Sequence, residues 1–337
     1  MAKVIRIIFF FPIHLILGLV LRLRHWLYDA GLISSVAFPV PVICIGNLEL
    51  GGSGKTPMAD YLLERLARKR KTAFLSRGYG RKSSGFLWLN HASGPEEAGD
   101  EPWMLFKKWG ATASFAVDAD RVAGISRILK EKPETELILL DDAFQHRRVR
   151  PSFNLLLTPF QRPYFRNFLF PAGSLRDVDT AAGRADLLVV TKAPDANEEF
   201  HAKAMAAAGA FLSPGQQLFV STLSYGQPRN GRGDLPGQGE QFIAMAGLAD
   251  NEPFFQYCSR KFNVKDRISL PDHFHYSTGF FKKMNPDPAT PVICTEKDFA
   301  KILAVFPFPD KVFYLPIQIR IFPEDTFLHC IEKSLSV

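Results

Sequence analysis

PVICIGNLELGGSGKTPMADYLLERLARK, residues 41–69, runs from an apolar stretch through a glycine-rich turn into apolar residues at helical spacing. Strand, loop and helix in that order form a phosphate cradle. Glycines let successive backbone N–H groups turn inward, and the helix N-terminus adds partial positive charge. The common pattern is G-x-x-x-x-G-K-[ST]. Gly54, Lys55 and Thr56 fit its end, whereas Glu49 occupies the first glycine position. The loop Gly51-Gly52-Ser53-Gly54-Lys55-Thr56 is therefore closer to an x-G-G-x-G-K-[ST] variant, and these residues are expected to bind a nucleotide's phosphates. Lys55 would reach the β- and γ-phosphates and the Thr56 hydroxyl would ligate Mg²⁺.

Working outward, apolar runs recur at 71–76, 113–117, 136–142, 153–158 and 185–192, with helix-like stretches between several of them. Continuous apolar strands alternating with helices predict a parallel sheet covered on both faces. The run ELILLDD ends in Asp141-Asp142, which places two carboxylates at the carboxyl end of a strand, where ligands sit in open α/β sheets. One of them can hold Mg²⁺, directly or through water. A Gly/Pro-rich stretch at 224–239 reads as a linker. After it, further short apolar runs suggest a smaller α/β unit. At 337 residues the chain suits two such domains. We place an N-terminal helix at 1–30, a P-loop NTPase-type domain with flanked parallel sheet at 31–222, and a smaller α/β domain closing over the active site at 223–337.

Residues 3–32 are apolar in the middle and flanked by Lys3, Arg6, Arg22, Arg24 and His25. The apolar core Ile7–Leu21 contains Pro12 and His14 and is shorter than the about 20 residues a spanning helix needs. No good signal-cleavage site follows it. We expect a helix lying in the membrane interface, its basic residues on anionic headgroups.

With 47% hydrophobic and 22% charged residues, disordered and collagen-like classes are excluded. The net charge of +7 suits nucleic acid, an anionic membrane or a phosphorylated substrate. No zinc finger, RRM-like aromatic motif or long basic run appears, so nucleic acid is not expected. The four cysteines are scattered without a CxxC pair, and reduced buried thiols are expected.

Several loops carry candidate chemistry. LSRGYGRK (75–82) offers Arg77, Tyr79 and Arg81 on glycine hinges, a basic wall suited to an acidic or phosphorylated acceptor. AGDEPWML (98–105) reads as a helix start with Asp100 as N-cap. LPDHFHYS (270–277) holds His273, and a carboxylate with a histidine makes a general base. PAGSLRD (171–177) supplies Arg176 as a phosphate clamp, and CTEKDFAK (294–301) supplies Lys297 as a charge partner.

Taken in order, GNLELGGSGKTP, LSRGYGRK, GDEP, DADRV, LDDAFQHRR, FPAGSLRD, LPDHFHY and TEKD resemble the tetraacyldisaccharide 4′-kinase family of lipid A biosynthesis, over roughly residues 40–300. Ala143 and Asp177 stand where the family pattern has Gly and Glu. The resemblance implies transfer of the γ-phosphate of ATP to the 4′-hydroxyl of a lipid-linked glucosamine disaccharide monophosphate, at the cytoplasmic face of the bacterial inner membrane. It implies that Lys55 and Thr56 hold ATP and Mg²⁺, that Asp141 and Asp142 belong to the metal site, and that Asp100 is the acceptor base paired with His273. Arg77, Tyr79, Arg81, Arg121, His146 and Arg176 are the acceptor-side candidates. No obligate protein partner is expected. The rival reading is a P-loop switch ATPase acting on a protein partner. TKAPD (191–195) only approaches the guanine-selecting Asn/Thr-Lys-x-Asp pattern, which disfavours GTP.

Overall fold

The computed structural model describes residues 2–237, 239–277, 279–280, 290–306 and 310–335, with only the backbone of 2–8 and 11. Lys3 and Arg6, read as headgroup contacts, lie outside the described side chains. In chain order the elements begin with α1 (Ala2–Asp29), β1 (Val42–Asn47), α2 (Lys55–Leu66), β2 (Thr72–Ser76) and β3 (Leu87–Trp88). Next come α3 (Pro95–Ala98), α4 (Asp100–Trp109), β4 (Ser114–Val117), α5 (Arg121–Glu131), β5 (Leu137–Asp141), β6 (Phe153–Pro159) and β7 (Leu187–Thr191). Then follow α6 (Glu198–Ala208), β8 (Gln217–Tyr225), β9 (Gln241–Ala246), α7 (Glu252–Lys261) and β10 (Asn263–Ser269). The chain closes with β11 (Val292–Thr295), α8 (Glu296–Val305), β12 (Val312–Leu315), β13 (Ile317–Phe322) and α9 (Glu324–Ser334).

Two compact units result. One comprises Met1–Arg77, Thr112–Leu223 and Ile319–Val337, the other Gly78–Ala111 and Ser224–Gln318. The first unit's sheet runs β13-β8-β7-β6-β1-β5-β2-β4. From β4 to β8 its neighbours pair in parallel. β1, β2, β5 and β7 are buried at every position, as a parallel sheet covered on both faces requires. Each fully buried Leu or Ile there contributes about 1.5–3 kcal/mol. The carboxyl ends of β1 and β5 lie side by side, Ile45 in register with Asp141. Gly46 is constrained by this approach, because a Cβ on it would stand 2.5 Å from the Phe144 Cβ.

Ile319–Val337 falls in the first unit for a physical reason. Glu324 on α9 accepts hydrogen bonds from Tyr61 (2.7 Å) and Arg65 (2.8 Å) on α2, and Phe327 is buried against Tyr61 and Phe219. The second unit carries a parallel sheet, β10-β9-β11-β12. Ile243 and Met245 join one core cluster while Phe242, Ala244 and Ala246 join the other. Alternate β9 residues thus feed opposite faces. Cys44, Cys258 and Cys294 are buried and free, and burial pushes the Cys44 thiol up to about 12.

Among the described residues no helix is long and apolar enough to cross a membrane. α1 nonetheless exposes Phe9, Ile16, Leu19 and Trp26, each more than half accessible. Its carboxyl end is tied down. Arg24 donates to the Gln145 carbonyl (2.8 Å), His25 Nε2 meets Asp177 Oδ1 at 2.6 Å, and Arg147 reaches both the His25 carbonyl and Asp29. Arg24 and His25, expected on headgroups, are instead internal ties, because partners of opposite polarity lie within the same unit. Arg22 remains exposed.

Candidate active site

The first unit assembles a cluster of polar and charged side chains at the carboxyl ends of β1 and β5. Gly54 takes a left-handed backbone (φ 89°) that turns the loop into α2 at Lys55. Pro57 follows within the first turn, where its missing N–H costs nothing. The Lys55 ammonium sits 3.3 Å from Asn47 Oδ1 and 3.7 Å from Asp142 Oδ1. Arg176 donates to both oxygens of Asp142 and also to Asn47 Oδ1. Burial would raise the Asp142 carboxyl, yet the Arg176 hydrogen bond and the charges of Lys55, Arg176 and Arg121 hold it below the usual carboxylate range. An ionised carboxylate at a strand end is an oxygen donor of the kind a hard divalent cation takes.

Asp141 is buried and accepts from Ser76 Oγ at 2.9 Å. Arg121 is also buried. It donates to the carbonyls of Asp118 (3.0 Å), Ala119 (3.1 Å) and Asp141 (3.4 Å), so its charge supports the turn that presents the two aspartates. Arg77 is exposed after β2. His146 is half-buried, and burial together with the Arg121 charge pushes its imidazole below its ordinary value.

The second unit assembles the other cluster. Gly99, not Asp100, is the N-cap of α4, and Asp100 is the first helical residue. The shift follows from the φ of 90° at Gly99, a value glycine adopts freely. Asp100 Oδ2 meets His273 Nδ1 at 2.9 Å, Lys301 Nζ at 3.1 Å and Lys297 Nζ at 3.8 Å. Among the described residues all of these contacts fall on Oδ2 and none on Oδ1. His273 holds a left-handed backbone (φ 58°), a conformation costing about 1–2 kcal/mol outside glycine. Asp272 supports the group from the far side, its Oδ2 3.7 Å from His273 Nε2 and its Oδ1 accepting from Lys297 at 2.8 Å. Burial works against the charge on Lys297, but the Asp272 hydrogen bond and the charges of Glu101, Asp272 and Asp100 hold its pKa above the ordinary value. The exposed Tyr79 ring lies 5.8 Å from the His273 ring. Arg81 is tied into its own loop, donating to Ser83 and the Gly85 carbonyl.

Three residues that the sequence reading did not single out complete these clusters. Asn47 receives Lys55 and Arg176 through its side chain and Gln145 through its carbonyl. Lys301 is 4% exposed and follows Lys297 by four residues on α8, the spacing that puts both ammoniums on one face. Glu49, 2% exposed, has one oxygen 3.4 Å from Asn167 and the other unpartnered among the described residues. Burial raises its carboxyl to about 7, against smaller opposing effects from Asn167, Arg162 and Lys55.

Glu49 has a measurable consequence. The folded protein keeps this proton to about pH 7, while the unfolded chain releases it near the ordinary 4.5. The native state therefore binds more protons between those values, and stability falls as pH rises through that window. Glu49→Gln is expected to gain up to about 3 kcal/mol at pH 8 and little at pH 4. Melting curves of both proteins from pH 4 to 8 check this, and an equal difference at the two ends would contradict it.

A strand–glycine loop–helix cradle with an ammonium, paired strand-end aspartates and a separate carboxylate–imidazole pair defines a P-loop α/β phosphotransferase. A family model described as tetraacyldisaccharide-1-P 4′-kinase matches residues 6–336, and the chain belongs to that family. Tetraacyldisaccharide 4′-kinase of Cytophaga hutchinsonii is 36% identical to it over 336 residues, covering 96% of this chain and 94% of its own. The protein of that name from Flavobacterium johnsoniae is 37% identical, covering 91% of each. Among solved structures, "apo" form LpxK from Aquifex aeolicus in complex with ATP aligns with a TM-score of 0.80 and 29% identity, over 99% of this chain and 100% of that one.

Proposed function

We propose that this chain transfers the γ-phosphoryl group of ATP to the 4′-hydroxyl of a tetraacyldisaccharide 1-phosphate. The observation that supports this reading is a lysine at the glycine loop, Lys55, in one unit and a carboxylate–imidazole pair, Asp100 and His273, in the other, suited to be the donor cradle and the acceptor-side base. Phosphoryl transfer asks the protein for positioning and charge neutralisation rather than covalent chemistry. The loop N–H groups and Lys55 hold the triphosphate, and Arg176, with Asn47, fixes Asp142. Thr56, Asp141 and Asp142 offer hard oxygen donors, the set that fits Mg²⁺. Bound there, the ion would neutralise charge on the β- and γ-phosphates. On the acceptor side the free Oδ1 of Asp100 takes the hydroxyl proton, while His273, Lys297 and Lys301 orient the carboxylate through Oδ2.

The acceptor is insoluble in water, and α1 supplies the means to reach it. Its exposed Phe9, Ile16, Leu19 and Trp26 with Arg22 suit the interface of an anionic membrane, which for this reading is the cytoplasmic face of the inner membrane. A cavity of about 360 Å³ lies beside α1, lined by His14, Gly18, Arg22, Phe165, Arg166 and Leu169, on a different face of the helix from those apolar residues. Replacing Ile16, Leu19 and Trp26 by Ser is expected to lower co-flotation with vesicles of anionic phospholipid at least about tenfold. Unchanged flotation would show that α1 is not the membrane contact.

The test of the reaction is mass spectrometry of detergent-solubilised disaccharide 1-phosphate after incubation with the protein, ATP and Mg²⁺. A product heavier by one phosphoryl group supports the reading. Phosphate released to water with the lipid unchanged overturns it in favour of a nucleotide switch.

A further inference from the structure

Two loops meet at the Arg176–Asp142 pair. One, residues 142–149, leaves the sheet after β5, and the other, 171–177, lies between β6 and β7. The Arg176 N–H also donates to the Leu48 carbonyl at 2.8 Å, which fixes the second loop beside the end of β1. A closed ring of charged side chains joins the same two loops a second time. Asp177, wholly buried and next to Arg176 in sequence, stands 2.6 Å from His25 Nε2 through Oδ1 and 3.6 Å from Arg184 Nη2 through Oδ2. Arg184 donates to the Phe144 carbonyl at 2.9 Å and lies 4.2 Å over the Phe144 ring. Arg147, on the same loop as Phe144, returns to His25, 3.1 Å from Nδ1 and 3.0 Å from the carbonyl oxygen.

His25 is the member of this ring that α1 contributes, and it touches both loops, Asp177 on one and Arg147 on the other. Its two ring nitrogens have fixed roles. A guanidinium only donates, so Nδ1 accepts from Arg147, and Nε2 carries the proton it gives to Asp177. A carboxylate shut off from water needs such a donor. The imidazole is itself buried, so water does not compete for either contact.

We propose that His25 is a positioning residue of the donor site: by holding Asp177 against the loop of Arg147 it keeps Arg176 on Asp142, so that Asp142 presents its oxygens to Mg²⁺. This role rests on the reading of the cluster as an ATP and Mg²⁺ site. Residues that orient a metal-ligating carboxylate from outside typically account for about 10–100-fold in metal affinity or activity. His25 reaches neither nucleotide nor metal and acts through the Asp177–Arg176 step of the chain. The helix offered to the membrane is thereby also part of the scaffold of the phosphate site.

The test is calorimetric titration of the full chain with ADP, once with Mg²⁺ and once with the metal chelated. Two variants separate the contacts of the ring. His25→Asn keeps an oxygen near Nδ1 for Arg147 and gives nothing to Asp177, whereas His25→Gln keeps an N–H near Nε2 for Asp177. The asparagine variant should bind ADP with Mg²⁺ about tenfold more weakly and metal-free ADP within about twofold of wild type, with kcat lowered about tenfold. The glutamine variant should recover most of both losses. In the Arg176→Ala background, His25→Asn should add little to the loss already present, because both act through the same pair. Equal losses with and without Mg²⁺, or equal losses in the asparagine and glutamine variants, would make His25 a general support of the fold and overturn the proposal. Unchanged binding in both variants removes this proposal alone. A wild-type chain that binds ADP no more tightly with Mg²⁺ than without it removes the metal-site reading and this proposal with it.

Discussion

Lys55→Ala is expected to lower turnover by about 10³-fold or more, the scale seen when a charge that stabilises transferring phosphoryl oxygens is removed. The structure isolates this effect from folding. Asp142, the anionic neighbour of Lys55, keeps Arg176 in the variant, and Asn47 keeps Arg176 and its carbonyl contact with Gln145. The loop backbone is set by the glycines and by the Thr191–Ser53 bond. Single-turnover assays at saturating ATP, with melting temperature measured alongside, separate chemistry from unfolding. Arginine in place of Lys55 should recover little, because a planar fork does not reproduce a point charge beside the helix N-terminus. A Lys55→Ala enzyme at wild-type rate would remove the phosphate-site assignment altogether.

How much of this was legible in the sequence differs by scale. The strands β1, β2, β5 and β7 could be read because parallel strands buried on both faces are uninterrupted apolar runs, and the loop could be read because glycine, lysine and threonine at fixed spacing have few other uses. The grouping of Gly78–Ala111 with residues beyond 223 had no such local mark. Whether a segment joins one unit or the other is decided by long-range packing, as when Glu324 finds Tyr61 and Arg65 across more than 250 residues of chain. The same holds for single residues. Arg24 and His25 look like membrane-facing cations next to an apolar run, and only the fold brings Gln145 and Asp177 within reach of them. Asn47 looked like the tail of a strand, although it is where Lys55, Arg176 and Gln145 converge. Polar residues at strand ends next to a glycine loop deserve suspicion for that reason, since open α/β sheets place ligands there.

The second large effect falls on Asp100. If Oδ1 takes the proton of the acceptor hydroxyl, Asp100→Asn should cut kcat about 10²–10⁴-fold while leaving the KM for ATP near wild type. The amide is the informative replacement. Alanine would leave Lys301, 4% exposed, without the carboxylate that faces it, although Lys297 keeps Asp272, and an uncompensated buried charge destabilises by about 3–5 kcal/mol. Asparagine keeps the shape and an oxygen for those donors but cannot carry the proton away. His273→Ala gives the complementary measurement. The imidazole touches Oδ2 rather than Oδ1, so its loss should be smaller than that of Asp100→Asn and should not add to it in the double variant, because the pair acts as one unit. Full additivity would mean that His273 acts on its own, and an Asp100→Asn enzyme with unaltered kcat would show that the hydroxyl loses its proton elsewhere.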